Sequence, residues 1–219
     1  MDKGVNVTCF LLSICDKVEG DARVNLDLAR TMCEKTQRGS IVEVPDAKAF
    51  KKQRPAIAHH DLFIDAVLGT GLNSDVRGFF RDAIELMNGS SKPVFAVDIP
   101  SGLNSDTGLP MGVAVKADAT ATFAFAKAGH ILYPGNEYTG ALKIIDIGIP
   151  RFVAEEKKIQ LSLVEKKEVA SLFPNRSFHS HKGSFGHLAV LAGSPGKTGA
   201  AVLCANAAAR SGTGLVTLA

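Results

Sequence analysis

The chain has 219 residues, about one and a half times the usual domain length, so it predicts one large domain or one domain with part of another. With 46% hydrophobic and 21% charged residues, the composition is typical of a folded globular protein and excludes disorder, a collagen repeat or a disulfide scaffold. The net charge of +3 is spread evenly along the chain, so we expect binding neither to nucleic acid nor to an anionic membrane.

The cysteines and the first residues point to a reducing compartment. Cys9, Cys15, Cys33 and Cys204 form no Cys-x-x-Cys pair and have no histidines at zinc spacing, so we interpret them as buried free thiols. No apolar run reaches the roughly 18 residues that cross a bilayer, and the start of the chain lacks a signal-peptide cleavage site. The sequence therefore predicts a cytoplasmic protein without a membrane anchor.

Predicted strands and helices alternate through the first 150 residues. Strands are predicted at 5–12, 40–44, 61–68, 93–98, 119–126 and 141–147, and helices at 20–36, 46–52 and 75–88. The strand at 61–68 is apolar enough to be covered on both faces. This pattern predicts an α/β fold, a Rossmann-like, mostly parallel sheet sandwiched between helices.

After residue 150 the composition changes. Residues 151–178 alternate in charge and are predicted to be a solvated linker. A new unit at 179–219 follows, with a strand at 187–192, a helix at 200–210 and a strand-like end, LVTLA. A piece of about forty residues buries too little surface to be stable alone, so we expect it to dock on the first domain or to belong to a larger one.

A glycine-rich loop follows the predicted strand at 61–68. Its residues are Gly69, Thr70, Gly71, Leu72, Asn73, Ser74 and Asp75. At the carboxyl end of a parallel strand, such a loop lets backbone N–H groups approach a phosphate. The dinucleotide fingerprint needs a glycine where Ser74 stands. Two interpretations stay open, an anion-binding loop and a tight turn that needs glycine for its backbone angles.

Two carboxylates occupy apolar strands, where desolvation is costly. Asp98 at the end of one strand is either an N-cap or a working acid/base group. Asp65 lies inside another strand, and a bound cation would relieve its charge. With Ser101 nearby, the pair predicts a site for an ion and a phosphate-bearing ligand.

The tail carries a second loop, at 193–198, that ends in Gly-Lys-Thr. A P-loop would need a glycine at position 191, where this chain has Leu191. The P-loop interpretation therefore fails on spacing, and the interpretation as a small-molecule kinase fails with it. A nucleotide-contacting loop of another kind and a plain strand-to-helix turn both stay open. His179, His181 and His187 have no carboxylate or cysteine at ligand spacing, and we interpret them as linker histidines.

Three ordered runs carry a family resemblance: DLFIDAVLGTGLNSDVRG, VFAVDIPSGLNSDTG and FAFAKAGHILYPGNEYTGALKIIDIGIP. They resemble the NAD(P)H-hydrate epimerase family, the YjeF N-terminal domain, over about residues 3–150. The final run HKGSFGHLAVLAGSPGKTGAAVLCANAAARSGTGLVTLA is similar to the opening of the ADP/ATP-dependent NAD(P)H-hydrate dehydratase, a ribokinase-like α/β domain. In this order the two domains form a bifunctional nicotinamide-nucleotide repair enzyme.

The resemblance implies a chemistry. The substrates would be NADHX and NADPHX, which are NADH and NADPH with water added at C6 of the nicotinamide ring. The epimerase would interconvert their R and S forms, and the dehydratase would use ADP or ATP to restore the coenzyme from the S form. The resemblance also implies a homo-oligomer.

Site residues carry over by motif. Asp65 and Ser101 match the family's K+ ligands, and 69–75 matches the loop that holds the substrate's phosphates. Asp98 matches a substrate-contacting carboxylate, and its assignment as the acid/base group is our own hypothesis. Ala200 matches an early substrate-side position of the dehydratase.

The departures imply a fragment. Family members carry a Gly-Asn-Asn-Gly-Gly-Asp segment, with a K+ ligand and phosphate contacts, before the point where this chain begins. The dehydratase match ends before the family's Gly-x-Gly-Asp segment, so we expect no dehydratase activity from this chain alone. The alternative to an enzyme is a non-catalytic nucleotide-binding or protein-interaction module of the same fold.

Overall fold

The computed structural model describes residues 3–157, 159, 161–173 and 175–219, without the side chain of Arg151. The chain forms two compact units, one ending at Leu161 and the other spanning Ser162–Ala219. Their boundary falls inside the predicted linker, and the predicted limits at 150 and 178 stay a prediction. No helix among the described residues is long and apolar enough to cross a membrane.

Parallel strands form the framework of the first unit. They are β1 (Val7–Leu11), β2 (Gly39–Glu43), β3 (Phe63–Asp65), β4 (Val94–Val97), β5 (Ala119–Phe123) and β6 (Ala141–Ile145). β1 pairs with β2, and a second sheet has the order β3-β4-β5-β6. Every pairing between these strands is parallel. The predicted α/β class with a mostly parallel sheet is therefore confirmed.

Helices connect these strands. They are α1 (Gly20–Thr36), α2 (Ala47–Ala58), α3 (Gly78–Asn88), α4 (Ala128–Ile131), α5 (Asn136–Thr139) and α6 (Arg151–Glu156). The Asp46 carboxylate caps α2 by accepting a hydrogen bond from the Ala49 amide at 2.7 Å. The helix continues past the predicted end at residue 52, because Phe50 and Ile57 on one side of it are both buried in the core.

The start of α3 also differs from the prediction. The Val76 amide donates to the Met111 carbonyl oxygen at 2.9 Å, which ties this part of the chain to a distant loop. Gly78 then adopts a left-handed φ of 61°. Helical geometry therefore begins at residue 78 and not at residue 75.

The hydrophobic core lies on one face of the four-stranded sheet, under α2 and α3. Its buried members are Val44, Phe50, Ile57, Phe63, Val76, Ala83, Ile84, Leu86, Met87, Val94, Ala96, Val115 and Ala117. On the other face, Ile64 and Phe95 are neighbours in register and are 66% and 45% exposed. The structure thus differs from the prediction of a strand covered on both faces, because α2 and α3 pack on the same side of it.

The cysteines are less buried than predicted. Cys15 is buried, but Cys9 and Cys204 are exposed. Cys9 alternates along β1 with Phe10, which packs against the core, so the Cys9 side chain points away from it. No disulfide joins the described cysteines.

The second unit has its own small sheet. It contains α7 (Lys166–Leu172), β7 (His187–Val190), α8 (Gly199–Arg210) and β8 (Leu215–Leu218). β7 and β8 pair in parallel, as the predicted strand-helix-strand order implies. Val190 and Ala201 are the buried hydrophobic residues among those described in this unit, so its core is small.

Candidate functional site

A buried carboxylate and a serine meet at the carboxyl end of β3. The Ser101 amide donates to Asp65 Oδ2 at 2.7 Å, and the Ser101 hydroxyl donates to Asp65 Oδ1 at 2.6 Å. The Val67 amide donates to Asp65 Oδ1 at 3.3 Å, and the Leu68 amide donates to Ser101 Oγ at 2.8 Å. Because the Val67 and Leu68 amides bond to side chains, they do not pair with a neighbouring strand. β3 therefore ends at Asp65 and not at the predicted residue 68.

The Asp65 charge has no cationic partner among the described residues. The side chain is fully buried, and burial raises the pKa of Asp65 although the Ser101 and Val67 donors act in the opposite direction. All of these donors are neutral groups. A buried carboxylate in this state either keeps its proton or needs a cation.

The surrounding oxygen atoms fit a hard cation. The Asp65 carboxylate, the Ser101 hydroxyl and the Leu68 carbonyl oxygen lie together, the last two 3.1 Å apart. Hard cations prefer oxygen ligands of these kinds. Within the described part of the chain, no three His, Cys, Asp or Glu residues group as metal ligands, so a cation here would depend on hydroxyl and backbone oxygens as well as one carboxylate.

The turn that follows Ser101 fixes the position of Ser101. Gly102 adopts a left-handed φ of 91°, and a Cβ there would collide with the Val113 carbonyl oxygen. The Val115 amide donates to the Ser101 carbonyl oxygen at 2.9 Å. Only glycine fits this close approach, so the segment that carries Ser101 is fixed against its neighbour.

Asp98 follows β4, the strand next to β3. Its backbone is left-handed, with φ of 66°, a conformation that non-glycine residues rarely adopt. Asp98 Oδ1 accepts from Thr122 Oγ1 at 3.0 Å, from the Phe123 amide at 3.1 Å and from Lys127 Nζ. The N-cap interpretation is wrong, because these donors belong to β5 and the segment after it and not to a helix that follows Asp98.

The environment keeps Asp98 ionised. Partial burial raises the pKa of Asp98, but the Lys127 hydrogen bond, the Phe123 amide and the Thr122 hydroxyl together outweigh burial and hold it below its ordinary value. Asp98 and Lys127 side chains are 26% and 23% exposed, so both reach the surface of the site. At neutral pH a carboxylate in this state is ionised, which is the form that a base requires.

Lys127 and His130 are site residues that the sequence reasoning missed. Lys127 Nζ also donates to Thr122 Oγ1 at 2.7 Å, and the Lys127 amide donates to His130 Nδ1 at 3.1 Å. His130 is buried, and its ring lies near the Asp98 backbone carbonyl, although its Nε2 makes no hydrogen bond of normal geometry with a described residue. Burial and the Lys127 charge lower the pKa of His130. The only sequence signal was a lone lysine directly after an apolar strand.

The loop at 69–75 lies at the same edge of the sheet as Asp98, because β3 and β4 are parallel neighbours. Leu72 packs against the core, and the other loop residues are exposed. Gly69 and Gly71 are not left-handed, and a Cβ on either would meet nothing within 4 Å. The tight-turn interpretation therefore fails for both glycines, since neither backbone angle nor crowding requires them.

The loop at 193–198 behaves differently. Gly193 and Gly196 have left-handed φ values of 98° and 77°, so a turn requirement accounts for both glycines.

Ala200 is exposed near the start of α8, and its substrate-side role stays a prediction. His187 Nε2 lies 2.7 Å from Thr217 Oγ1, a contact between the two strands of the small sheet.

A comparison with known protein families identifies the family of the first unit. The family model described as YjeF-related protein N-terminus matches residues 1–129, more than half of the 219-residue chain. The chain belongs to this family. The match covers Asp65, Asp98 and the loop at 69–75, and it ends between Lys127 and His130.

Curated relatives of this YjeF-family chain are longer proteins. The bifunctional NAD(P)H-hydrate repair enzyme Nnr of Moorella thermoacetica is 35% identical over 219 residues, which is 100% of this chain and 40% of that protein. The enzyme of the same name from Thermofilum pendens is 36% identical over 216 residues, 99% of this chain and 39% of that protein. That of Hyperthermus butylicus is 44% identical over 159 residues, 73% of this chain and 28% of that protein. The chain thus spans about 40% of the length of relatives that match all of it.

Proposed function

We propose that the first unit epimerises the R and S hydrates of NADH and NADPH, as part of nicotinamide-nucleotide repair. Relatives named for NAD(P)H-hydrate repair support the substrate class. The observation that carries the proposal is Asp98, an ionised carboxylate in a strained backbone conformation at the carboxyl edge of the sheet. Strain of this kind is concentrated at functional sites.

The chemistry needs a base and a phosphate site. At C6 the hydroxyl group shares its carbon with the ring nitrogen N1, whose lone pair can expel the oxygen as water when a proton is supplied. Water then adds to the opposite face of C6, the C=N electrons return to N1, and a base takes the proton of the added water. One water leaves and one returns, and the base releases its proton to the solvent, which supplied the proton for the leaving oxygen, so the reaction is an isomerisation. Asp98 is the base in this scheme, and backbone amides of the loop at 69–75 hold the pyrophosphate.

We propose K+ as the cation at Asp65. Asp65, the Ser101 hydroxyl and the Leu68 carbonyl oxygen would hold it, because they place oxygen ligands around an uncompensated buried carboxylate. When bound, K+ would neutralise this charge and attract a phosphate oxygen of the ligand.

A coupled assay tests the epimerase function. The chain is incubated with a mixture of R and S hydrates, K+, and an excess of a separate dehydratase with its nucleotide. We expect both epimers to be consumed rapidly, because the dehydratase removes S while the epimerase replenishes it from R. Consumption of R at the spontaneous rate would instead support the non-catalytic module or an inactive fragment of the enzyme.

Asp98→Asn tests the base. The amide keeps the size of the side chain but cannot take the proton, so we expect the epimerisation rate to fall by about 10²–10⁴-fold with the fold intact. Asp106→Asn, at an exposed carboxylate of a nearby loop, is the matched control and should leave the rate unchanged. Unchanged turnover in Asp98→Asn would eliminate this role.

We infer that the second unit is the beginning of an ADP- or ATP-dependent dehydratase. The alignment with relatives named as bifunctional repair enzymes extends through all of this unit. In the longer parent protein, ADP or ATP would be the co-substrate for dehydration of the S hydrate. This chain with S hydrate and ATP should release no phosphate above background, and stoichiometric release would refute that expectation.

Cellular location and assembly complete the proposal. We propose a cytoplasmic location, because free thiols such as those of Cys9 and Cys15 persist in a reducing compartment. We also propose a homo-oligomer. Sedimentation velocity tests the latter, and a single species with the mass of one chain at micromolar concentration would contradict it.

A further inference from the structure

The two carboxylate oxygens of Asp98 have different environments. Oδ1 accepts hydrogen bonds from Lys127 Nζ, Thr122 Oγ1 and the Phe123 amide. No donor among the described residues reaches Oδ2. Because a carboxylate oxygen with three donors has little capacity left to accept a proton, Oδ2 is the oxygen that remains available to a ligand.

Lys127 has no free N–H group to offer. Its ammonium has three protons, and Nζ faces three acceptors: Asp98 Oδ1, Thr122 Oγ1 at 2.7 Å and the Phe123 carbonyl oxygen at 3.3 Å. Thr122 is fully buried, so this side of the ammonium points into the protein. The arrangement suits a group that holds Asp98 and does not suit a proton donor to substrate.

The backbone of Lys127 is itself fixed. Its amide donates to His130 Nδ1, and the Gly129 amide donates to the Ser105 carbonyl oxygen at 2.7 Å. A Cβ on Gly129 would collide with the Asn104 carbonyl oxygen, so α4 lies directly against this loop. The position of the ammonium is therefore set by packing and not by a flexible side chain alone.

We propose that Lys127 is a positioning residue that fixes Oδ1 of Asp98 inward and directs Oδ2 toward the substrate as the base. The proposal rests on the epimerase function proposed above. It predicts that Lys127 affects the direction and the ionisation of the carboxylate, and that it does not bind the hydrate itself.

Removal of Lys127 would leave Asp98 with neutral donors only. Among the described residues, two titratable groups face Asp98, the Lys127 ammonium and the His130 imidazole, and burial of His130 opposes protonation of its ring. Loss of the ammonium would therefore make the carboxylate easier to protonate. The acid limb of a pH–rate profile reports this change, whereas a loss of stability alone would leave its midpoint in place.

The test compares Lys127→Met with Lys127→Arg and with a control, Lys143→Met, at an exposed lysine of β6. For Lys127→Met we expect kcat to fall by about 10²-fold or more, KM to change by less than about threefold, and the acid limb to move to higher pH. Lys127→Arg keeps a cation at this position, so we expect its kcat to be at least about tenfold higher than that of Lys127→Met. Lys143→Met should match the wild-type protein.

A second measurement does not depend on activity. A carbon-13 NMR titration of the Asp98 carboxyl group in the wild-type chain and in Lys127→Arg and Lys127→Met follows the ionisation directly. We expect protonation at higher pH in Lys127→Met and near the wild-type pH in Lys127→Arg. If the wild-type chain fails to epimerise, the proposed function fails, while this titration still decides whether Lys127 controls Asp98.

Three results would overturn the proposal. One is a Lys127→Met variant with an unshifted acid limb and an unshifted Asp98 titration. The second is loss of the basic limb instead of a shift of the acid limb, which would make Lys127 the proton donor. The third is a large rise in KM with unchanged kcat, which would make it a substrate-binding residue.

Discussion

Asp98 illustrates how a single residue can adopt an unfavourable conformation. A left-handed backbone at a non-glycine residue costs about 1–3 kcal/mol. The Asp98 amide donates to the Ala121 carbonyl oxygen at 2.8 Å, and three donors meet its Oδ1. These bonds hold the strained conformation, and they join β4 to the neighbouring strand.

His130 should make stability depend on pH. Burial lowers the pKa of His130 in the folded chain. As the pH falls below about 6.5, this imidazole takes up a proton in the unfolded chain, while burial opposes protonation in the folded chain. The free energy of unfolding therefore falls until the pH is below the pKa of His130 in the folded chain. His130→Gln should flatten this part of the curve, measured as the free energy of unfolding by urea between pH 7 and pH 5.

An exposed histidine gives the control for that curve. His59 lies at the end of α2 and is exposed, and His59→Gln should keep the wild-type slope. Equal slopes in the wild-type chain and His130→Gln would show that burial of His130 does not oppose its protonation.

Asp65 should couple stability to K+. A cation that binds only the folded chain stabilises it by mass action, by about 2.7 kcal/mol at a hundred times its Kd. Thermal unfolding in KCl and in choline chloride of equal ionic strength measures this effect. In Asp65→Asn the K+ difference should vanish, whereas Asp61→Asn at an exposed carboxylate should retain it. The same K+ shift in Asp65→Asn would place any cation elsewhere.

At the scale of the elements, two glycines of the first unit have opposite surroundings. Gly71 has open space where a Cβ would stand, whereas a Cβ on Gly129 would collide with the Asn104 carbonyl oxygen. Gly71→Ala should therefore leave the free energy of unfolding within about 0.5 kcal/mol, and Gly129→Ala should lower it by about 1–3 kcal/mol. Urea denaturation measures both.

The same pair separates folding from ligand binding. If the loop amides hold the pyrophosphate, Gly71→Ala should weaken binding of a nicotinamide dinucleotide by about tenfold despite its normal stability, because a methyl group stands where the ligand approaches. Isothermal titration calorimetry gives the Kd. Undiminished affinity in Gly71→Ala would mean that the ligand does not approach this glycine.

The observed limits of α1 and β3 show which element boundaries a local sequence pattern determines. The helix predicted at 20–36 has the observed limits of α1, because its apolar spacing and the residues that follow it are local signals. The strand predicted at 61–68 shrinks to Phe63–Asp65, because the next amides bond to Asp65 and to Ser101, and no local pattern contains that second partner.

At the scale of the whole molecule, the two units differ in their cores. The first has a continuous buried cluster under α2 and α3, whereas the described part of the second buries only Val190 and Ala201 among its hydrophobic residues. Local stability follows buried apolar contact. We expect amide hydrogen exchange to be faster in β7, α8 and β8 than in β4 and β5, as measured by mass spectrometry of the intact chain. Equal protection in both units would contradict this expectation.

The sequence by itself determined the α/β class, the parallel sheet, the glycine-rich loop and the carboxylates at strand ends, because periodicity and residue type are local properties. Only the tertiary structure decided which groups meet. Ser101 reaches Asp65 from 36 residues away, and Lys127 reaches Asp98 from 29 residues away. Such contacts follow from the order of strands in the sheet and the packing of α4, and chain spacing does not encode either. The same packing left Ile64 and Phe95 exposed, since α2 and α3 occupy one face of the sheet.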